Sequence, residues 1–347
     1  MRSFRSALVA PFVVALTIQF GLLTTPAVGV AQVQGDVPEC VTLPVAVPAQ
    51  AQSHVINPRV CRPAKVYWTD ISTTSPLTHV SVVSGDGSSP NTLITESPST
   101  GIGHIAIDHE GGKMYWADAE SIRRANLDGT TVEVLVAAEF PTGIALDTVA
   151  GKVYWSSSNG YIRRANFDGT AVEDVVVLQD LPFPLFFAPV ALAVDAVGGK
   201  IYWTNGGSVD EQGHHAVQRA NLDGTGIETL ILVSSGAGIA LDVAAGTLYW
   251  TEIGVVDPQG IPRGSIHRAT LDGTDARELV RLQSWPLEVD LDATQGKIYW
   301  VTCGCAFAAD GTILPNKIQR ADLTGANVED LLEVTSATQP VGIALGP

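Results

Sequence analysis

Residues 143–170 read GIALDTVAGKVYWSSSNGYIRRANFDGT, and much of the chain repeats the plan of this stretch. An apolar segment ending in aspartate is followed by a Gly-Lys turn and by a second apolar segment with a Tyr-Trp pair. A third segment, YIRRAN, leads into Asp-Gly-Thr. Asp-Gly between alternating segments indicates a tight hairpin, because glycine accepts the positive φ that such turns need. The stretch therefore predicts a unit of antiparallel strands.

The Tyr-Trp pair recurs six times along the sequence. The pairs are Tyr67-Trp68, Tyr115-Trp116, Tyr154-Trp155, Tyr202-Trp203, Tyr249-Trp250 and Tyr299-Trp300. Successive tryptophans are 48, 39, 48, 47 and 50 residues apart, and this period is typical of a four-stranded propeller blade. The repeats predict an all-β protein with a six-bladed β-propeller over residues 63–347.

The first blade lacks an inner strand before Val66. Residues 341–345, VGIAL, match the inner-strand pattern and have no Tyr-Trp strand after them. We therefore expect the C-terminal strand to lie beside the N-terminal strands and to close the ring. Such closure removes a long exposed sheet edge.

These motifs resemble the YWTD repeats, also called low-density-lipoprotein-receptor class B repeats, over about residues 63–347. The resemblance implies a six-bladed propeller of the kind found in extracellular parts of receptors and matrix proteins, where it acts as a binding or scaffolding module. The fourth motif letter departs from the family in four blades, which carry Ser157, Asn205, Glu252 and Thr302. Since this residue is mainly structural in the family, we expect the departures to weaken hydrogen bonding between blades and to leave the fold intact.

The first 31 residues have the features of a secretory signal peptide. Arg2 and Arg5 form a positively charged region, and an apolar stretch follows over about residues 8–23. Small residues ending at Ala31 provide a cleavage site of the usual kind. We expect cleavage after Ala31 and export of the mature chain.

The mature chain is expected to begin with an N-terminal arm or linker over residues 32–62. An uncleaved membrane anchor is the alternative to a signal peptide, but Pro11 and Gln19 interrupt an apolar run that is already short for a membrane span. The sequence thus predicts a secreted, extracellular or periplasmic protein with no transmembrane segment after signal cleavage.

The four cysteines are Cys40, Cys61, Cys303 and Cys305. An exported chain permits disulfides. Cys61 and Cys303 lie at points on equivalent strands that differ by ten residues, or about 30 Å at the rise of a strand, which is beyond disulfide reach. We therefore predict a Cys40–Cys61 disulfide, and Cys303 and Cys305 remain either a local bridge or a pair of thiols.

The composition narrows the range of partners. The formal net charge is −16, and a protein of this charge is repelled by nucleic acids and by anionic membranes. No run of lysine and arginine offsets this charge. A protein, a peptide or a glycan is therefore the expected partner.

One face of the predicted propeller collects the long and irregular connections. The links from the second to the third strand and from one blade to the next lie on this loop-rich face, where binding residues are expected. Its aromatic residues are predicted to contact a ligand; they are Phe140, Phe183, Phe186, Phe187 and Trp285. The alternative is that these side chains cover the core between blades.

Three residues break the pattern of small side chains on the inner strands. His104 and Glu288 stand where four blades have Gly or Ala, and Asp290 stands where the other five have Ala. Two carboxylates and an imidazole suit a divalent cation, calcium rather than zinc, or an amine-bearing ligand. The alternative is a solvated channel in which water or arginine pairs with these groups. Calcium is the only cofactor that the sequence suggests.

Two functions compete on these observations. The first is an exported binding or scaffolding protein that recognises its partner through the loop-rich face. The alternative is a metal-dependent hydrolase or lactonase that uses the axial channel. The sequence contains neither a G-x-S-x-G nor an H-E-x-x-H motif, so the binding function is favoured.

Overall fold

The computed structural model describes residues 40–42, 59–61, 65–75, 77–96, 102–178, 189–207, 209, 214–255, 257, 262–282, 284–303, 314–334 and 338–346. The chain divides into two units, Met1–Pro38 and Glu39–Pro347, and the first lies outside the described residues. The predicted signal peptide therefore also lies outside them. Within the described residues, no helix is both long and apolar enough to cross a membrane.

Six antiparallel sheets of four strands each form the blades of a propeller. From the inner to the outer edge, blade one contains β26 (Thr338–Gly346), β3 (Lys65–Ser72), β4 (Thr78–Ser84) and β5 (Asn91–Glu96). Blade two contains β6 (Ile102–Asp108), β7 (Lys113–Asp118), β8 (Ser121–Asn126) and β9 (Glu133–Ala137). Blade three contains β10 (Pro141–Asp147), β11 (Lys152–Ser157), β12 (Tyr161–Asn166) and β13 (Glu173–Val177).

Blade four contains β14 (Pro189–Asp195), β15 (Lys200–Asn205), β16 (His215–Asn221) and β17 (Glu228–Val233). Blade five contains β18 (Gly236–Asp242), β19 (Thr247–Glu252), β20 (Ser265–Thr270) and β21 (Arg277–Arg281). Blade six contains β22 (Trp285–Asp292), β23 (Lys297–Cys303), β24 (Asn316–Asp322) and β25 (Glu329–Val334). The inner strands of neighbouring blades contact one another around the axis. The predicted six-bladed architecture is confirmed.

The C-terminal strand closes the ring, as the sequence predicts. Strand β26 pairs antiparallel with β3 and places Ile343 opposite Trp68 and Ala344 opposite Tyr67. Blade one is therefore built from both ends of the propeller, and the inner edge of β3 is paired rather than exposed.

The Tyr-Trp pairs form the core between blades. Consecutive residues of a strand point to opposite faces of its sheet, yet each tyrosine and each tryptophan of the six pairs is buried, with at most 5% of its surface exposed. Both faces of every blade are therefore covered by a neighbouring blade. The tyrosine of one blade shares a hydrophobic cluster with the tryptophan of the next; the pairs are Tyr67 with Trp116, Tyr115 with Trp155, Tyr154 with Trp203, Tyr202 with Trp250, Tyr249 with Trp300 and Tyr299 with Trp68.

The third motif letter carries hydrogen bonds between blades. Thr69 Oγ1 accepts a hydrogen bond from Gly342 N at 3.0 Å and donates one to Gly103 O of the next blade at 2.8 Å. Thr251 likewise accepts a bond from its own inner strand and donates one to Leu287 O of blade six at 2.8 Å. A buried hydroxyl thus ties each of these inner strands to its neighbour.

A two-stranded ribbon precedes the propeller in the sequence. Strand β1 (Cys40–Thr42) pairs antiparallel with β2 (Arg59–Cys61), and the register places Cys40 opposite Cys61. The backbone thus brings together the two positions of the predicted disulfide. The bond itself stays a prediction.

The hairpin turn between the third and fourth strands packs against the preceding blade. Gly224 in blade four has a φ of 82°, and a Cβ atom there would overlap the carbonyl oxygen of Val175 on the outer strand of blade three. Gly129, Gly169 and Gly325 lie against the preceding outer strand in the same way. Glycine is required here both by its φ and by the close approach of the neighbouring backbone.

A comparison of two glycine substitutions tests this junction. Gly246 has a similar φ of 67°, but a Cβ atom there meets nothing within 4 Å. We expect Gly246→Ala to cost about 1–2 kcal/mol of unfolding free energy, which is the conformational strain alone. Gly224→Ala adds the clash, and we expect it to cost about 3 kcal/mol or more. Chemical denaturation measures both values, and equal losses would contradict the blade contact.

Candidate functional site

The inner strands enclose an axial channel, and small side chains let them approach. A Cβ atom on Gly342 would come within 2.7 Å of the His104 Cα, and one on Gly238 would come within 2.7 Å of the Glu288 Cα. A cavity of about 520 Å³ occupies the channel on the side of the short turns. Its walls are largely aliphatic, and its polar lining includes His104, Glu288 and Asp290.

His104 and Glu288 form a buried side-chain contact inside the channel. His104 lies on the inner strand of blade two and Glu288 on that of blade six, and the His104 Nδ1 contacts the Glu288 Oε2. Only 9% of His104 and 6% of Glu288 is exposed. Strand β26 of blade one lies between these two inner strands, and its Gly342 packs closely against the His104 backbone. The structure therefore brings these two predicted site residues together.

A second cavity of about 520 Å³ opens on the loop-rich face. Its lining is mainly apolar and includes Ile102, Pro141, Val341 and the ring of Phe140. His104 lines both this cavity and the one on the side of the short turns. The His104–Glu288 pair thus lies between the two cavities.

Asp290 lies two residues beyond Glu288 on the same strand and makes a different set of contacts. Its two carboxylate oxygens accept hydrogen bonds from Leu345 N and Leu291 N, each at 2.8 Å. Burial raises the pKa of Asp290 to about 6 against these two hydrogen bonds, and the nearby Glu288 carboxylate adds to the rise. Asp290 therefore titrates closer to neutral pH than an ordinary aspartate, in a position where the other blades have alanine.

The predicted calcium ligands have protein partners. Glu288 contacts His104, and both oxygens of Asp290 accept backbone hydrogen bonds. Among the described residues, no group of three His, Cys, Asp or Glu side chains is arranged to hold a metal ion. Calcium binding by these three residues stays a prediction.

The predicted aromatic residues of the loop-rich face have different positions. Phe140 lies in the link between blades two and three, where 66% of it is exposed. Trp285 is half-buried and begins strand β22 instead of lying in the loop before it. The other three predicted residues, Phe183, Phe186 and Phe187, lie outside the described residues. The cluster as a whole therefore stays a prediction. Phe140 is the member that the structure describes as exposed.

Cys303, at the end of β23, is buried and disulfide-bonded. This finding favours the local bridge over the pair of thiols that the sequence also allows. Its predicted neighbour Cys305 lies outside the described residues.

The sequence analysis missed that His104 and Glu288 contact each other and separate two cavities. A signal for this was present in the third motif letter. Blades two and six carry Ala117 and Val301 there, whereas the other four blades carry threonine or serine. The two blades that lose the inter-blade hydroxyl are the two that gain a large polar residue at the axis.

The chain is similar in sequence to receptor-related proteins over part of its length. Over 98 residues it is 36% identical to the human low-density lipoprotein receptor-related protein 5-like protein, a match that covers 27% of this chain and 37% of that relative. Over 107 residues it is 33% identical to the low-density lipoprotein receptor-related protein 1 of Pyricularia oryzae, covering 26% of this chain and 34% of that relative. No protein-family model matches the chain.

Solved structures show the same fold. The chain superimposes on a structure from the nidogen/laminin complex with a TM-score of 0.64 and 18% identity, over 81% of this chain and 98% of that one. The chain is a YWTD-type β-propeller. TolB from Acinetobacter baumannii is also similar, with a TM-score of 0.60 and 12% identity over 82% of this chain and 67% of that one. YWTD propellers typically serve as protein-binding modules.

Asp290 gives the YWTD propeller a distinctive pH dependence. Its pKa is about 6 in the folded protein, against an ordinary value of 3.8 for an exposed aspartate, so between these values the folded state binds more protons than the unfolded state. The contribution of Asp290 to the unfolding free energy therefore falls as pH rises from about 4 to about 6. The fall is at most about 3 kcal/mol, and screening by water in the channel makes it smaller.

Replacing Asp290 by alanine, the residue of the other five blades, should remove this pH-dependent loss of unfolding free energy. Asp290→Ala also loses the two backbone hydrogen bonds, so we expect its stability relative to the wild type to be greater at pH 7–8 than at pH 4. Thermal denaturation of both proteins across this range measures the change, because groups distant from Asp290 titrate alike in both proteins. A difference that does not change with pH would contradict the raised pKa.

Proposed function

We propose that the chain is an exported propeller that binds a protein or peptide partner through its loop-rich face. The observation that supports this most is the apolar cavity at that face, together with the exposed ring of Phe140 beside it. An exposed aromatic residue at the rim of an apolar recess is a common anchor for a partner's side chain. A glycan partner is the alternative that the same aromatic ring permits.

The backbone of Phe140 supports a role outside core packing. Its φ is 48°, in a region that costs a bulky residue on the order of 1–2 kcal/mol. The side chain does not recover this cost through burial, since two thirds of it faces solvent. Strain at an exposed aromatic residue is typical of binding sites.

The cavity also carries polar groups that favour a peptide over a purely apolar ligand. Glu120, Thr142, Ser158 and His104 lie among its apolar lining residues. A few polar groups around an apolar recess orient a ligand, while the apolar surface supplies most of the affinity. A peptide with an apolar side chain flanked by hydrogen-bonding backbone groups matches this lining.

The experiment uses peptides selected from a random library on the immobilised protein, with a glycan array as a parallel arm. We expect Phe140→Ala to weaken the selected peptides about tenfold, as loss of an interface anchor does. Val197→Ala is the matched control, because Val197 is an apolar residue that is 89% exposed in the short turn after β14. Fluorescence polarisation gives the affinities, and thermal denaturation shows that both variants remain folded.

Two results would contradict the proposal. One is that both arms give only ligands that bind the wild type and Phe140→Ala equally. The other is that Phe140→Ala lowers the melting temperature sharply, which would make Phe140 part of the core. Ligands found on the glycan array alone would replace the peptide by a glycan as the partner.

Export and the Cys40–Cys61 disulfide form a further part of the proposal. The register that places these two residues opposite each other on β1 and β2 supports the bond. After expression with its own N-terminus into an oxidising compartment, we expect a mature chain that begins at residue 32 and a peptide linking Cys40 to Cys61. N-terminal sequencing and non-reducing peptide mapping measure both, and an intact Met1 or two free thiols would be evidence against them.

The hydrolase alternative receives less support from the axial channel. Its three candidate residues are held by one another or by backbone amides, as described above. The binding function, by contrast, rests on a cavity that opens on the face where the sequence places its variable loops.

A further inference from the structure

An arginine on the third strand links neighbouring blades in four places. Each of these arginines donates its Nε–H to a glutamate on the adjacent outer strand and its Nη1 to a backbone carbonyl of the next blade. The four pairs are Arg124–Glu133, Arg164–Glu173, Arg219–Glu228 and Arg320–Glu329. The repeat thus builds the same carboxylate site for a guanidinium four times.

The geometry of this unit is consistent from blade to blade. Arg164 Nε lies 2.6 Å from Glu173 Oε1, and Arg164 Nη1 lies 2.8 Å from Leu222 O of blade four. Arg219 Nε lies 2.5 Å from Glu228 Oε1, and Arg219 Nη1 lies 2.8 Å from Leu271 O of blade five. The carboxylate therefore has a fixed place beside the Nε–H edge of the guanidinium.

Blade five keeps the arginine and loses the carboxylate. Arg268 stands at the equivalent position, and the residue opposite it on the outer strand is Arg277. The Arg268 Nε is buried and has no hydrogen-bond partner among the described residues. Blade one differs in another way, because the equivalent pair there is Val82 and Asn91 and carries no charge. An uncompensated arginine pair is therefore particular to blade five within the described strands.

The position of Arg277 gives a ligand access to this pair. The Arg277 side chain is 54% exposed. Among the described residues its ion-pair partner is Asp275, at 3.4 Å, whose side chain is 60% exposed. Such an exposed pair contributes little, so Arg277 is free to bind another anion. Two like charges directly opposite each other on adjacent strands repel, and an anion between them would relieve this repulsion.

We propose that Arg268 and Arg277 form an anion site on the outer edge of blade five, which takes a carboxylate from an acidic side chain of a protein partner. A carboxylate is favoured because four of the other five blades place a glutamate beside the equivalent guanidinium. A planar guanidinium matches a carboxylate with two parallel hydrogen bonds. The site lies away from the loop-rich face, so a test of this proposal does not depend on whether the cavity beside Phe140 binds a partner.

The test measures binding of a capped tetraglutamate peptide by calorimetry and by the shift in melting temperature. We expect tetraglutamate to bind the wild type and raise its melting temperature, and we expect tetraglutamine to do neither. Arg277→Glu restores the arrangement of the other blades. This variant should lose at least tenfold in tetraglutamate affinity, and its own melting temperature should rise by about 2 °C.

The control is Arg281→Glu, which makes the same charge change on the same strand. Arg281 pairs with Glu278 and its side chain is 71% exposed, so this variant should bind tetraglutamate like the wild type. Arg277→Gln removes the charge without supplying a carboxylate, and it should lose the peptide without gaining stability. Three results would overturn the proposal: equal losses in Arg277→Glu and Arg281→Glu, full binding by Arg277→Glu, or an equal response to sulfate at matched ionic strength.

Discussion

The packing of each blade's tyrosine against the tryptophan of the next blade is the interaction on which the ring depends. The two aromatic residues are adjacent in sequence and point to opposite faces of the second strand, so each blade needs a neighbour on both sides. An aromatic side chain buries on the order of 150–250 Å², and an isolated blade would expose both of its aromatic residues to water. The last of these pairs, Tyr299 and Trp68, shares its cluster with Ile343 and Leu345 of the C-terminal strand. The strand that closes the ring therefore also completes the core between blades six and one.

The motif letters after the aromatic pair have separable roles. The third letter supplies a hydroxyl that ties adjacent inner strands, as Thr69 does between blades one and two. The acid at the fourth position bonds within its own blade, where the indole of Trp68 donates to Asp70 at 2.9 Å. In blade four, Gln218 accepts this indole hydrogen bond at 3.1 Å from the neighbouring strand. In blades four and six the loss of the acid is thus compensated locally by a glutamine, whereas the Trp155 indole of blade three has no hydrogen-bond partner among the described residues.

The axis and the outer edge show how a repeated scaffold acquires individual features. At the axis, His104 and Glu288 replace small residues and contact each other, and His104 lines both a cavity near the short turns and one on the loop-rich face. At the outer edge, Arg277 replaces a glutamate and leaves Arg268 without the carboxylate that its counterparts contact. In both places the repeats provide the comparison, because four other blades show what the position ordinarily holds.

The sequence by itself determined the number of blades, the order of their strands and the closure by the C-terminal strand. These features follow from local signals, namely the Tyr-Trp period and the Asp-Gly turns, which need no knowledge of distant contacts. It also identified His104, Glu288 and Asp290 as exceptions at the axis. Only the tertiary structure decided that His104 contacts Glu288 while Asp290 binds backbone amides, and that Trp285 lies in a strand. The reason is that these partners come from blades far apart in sequence, so their distances are set by the curvature of the closed ring.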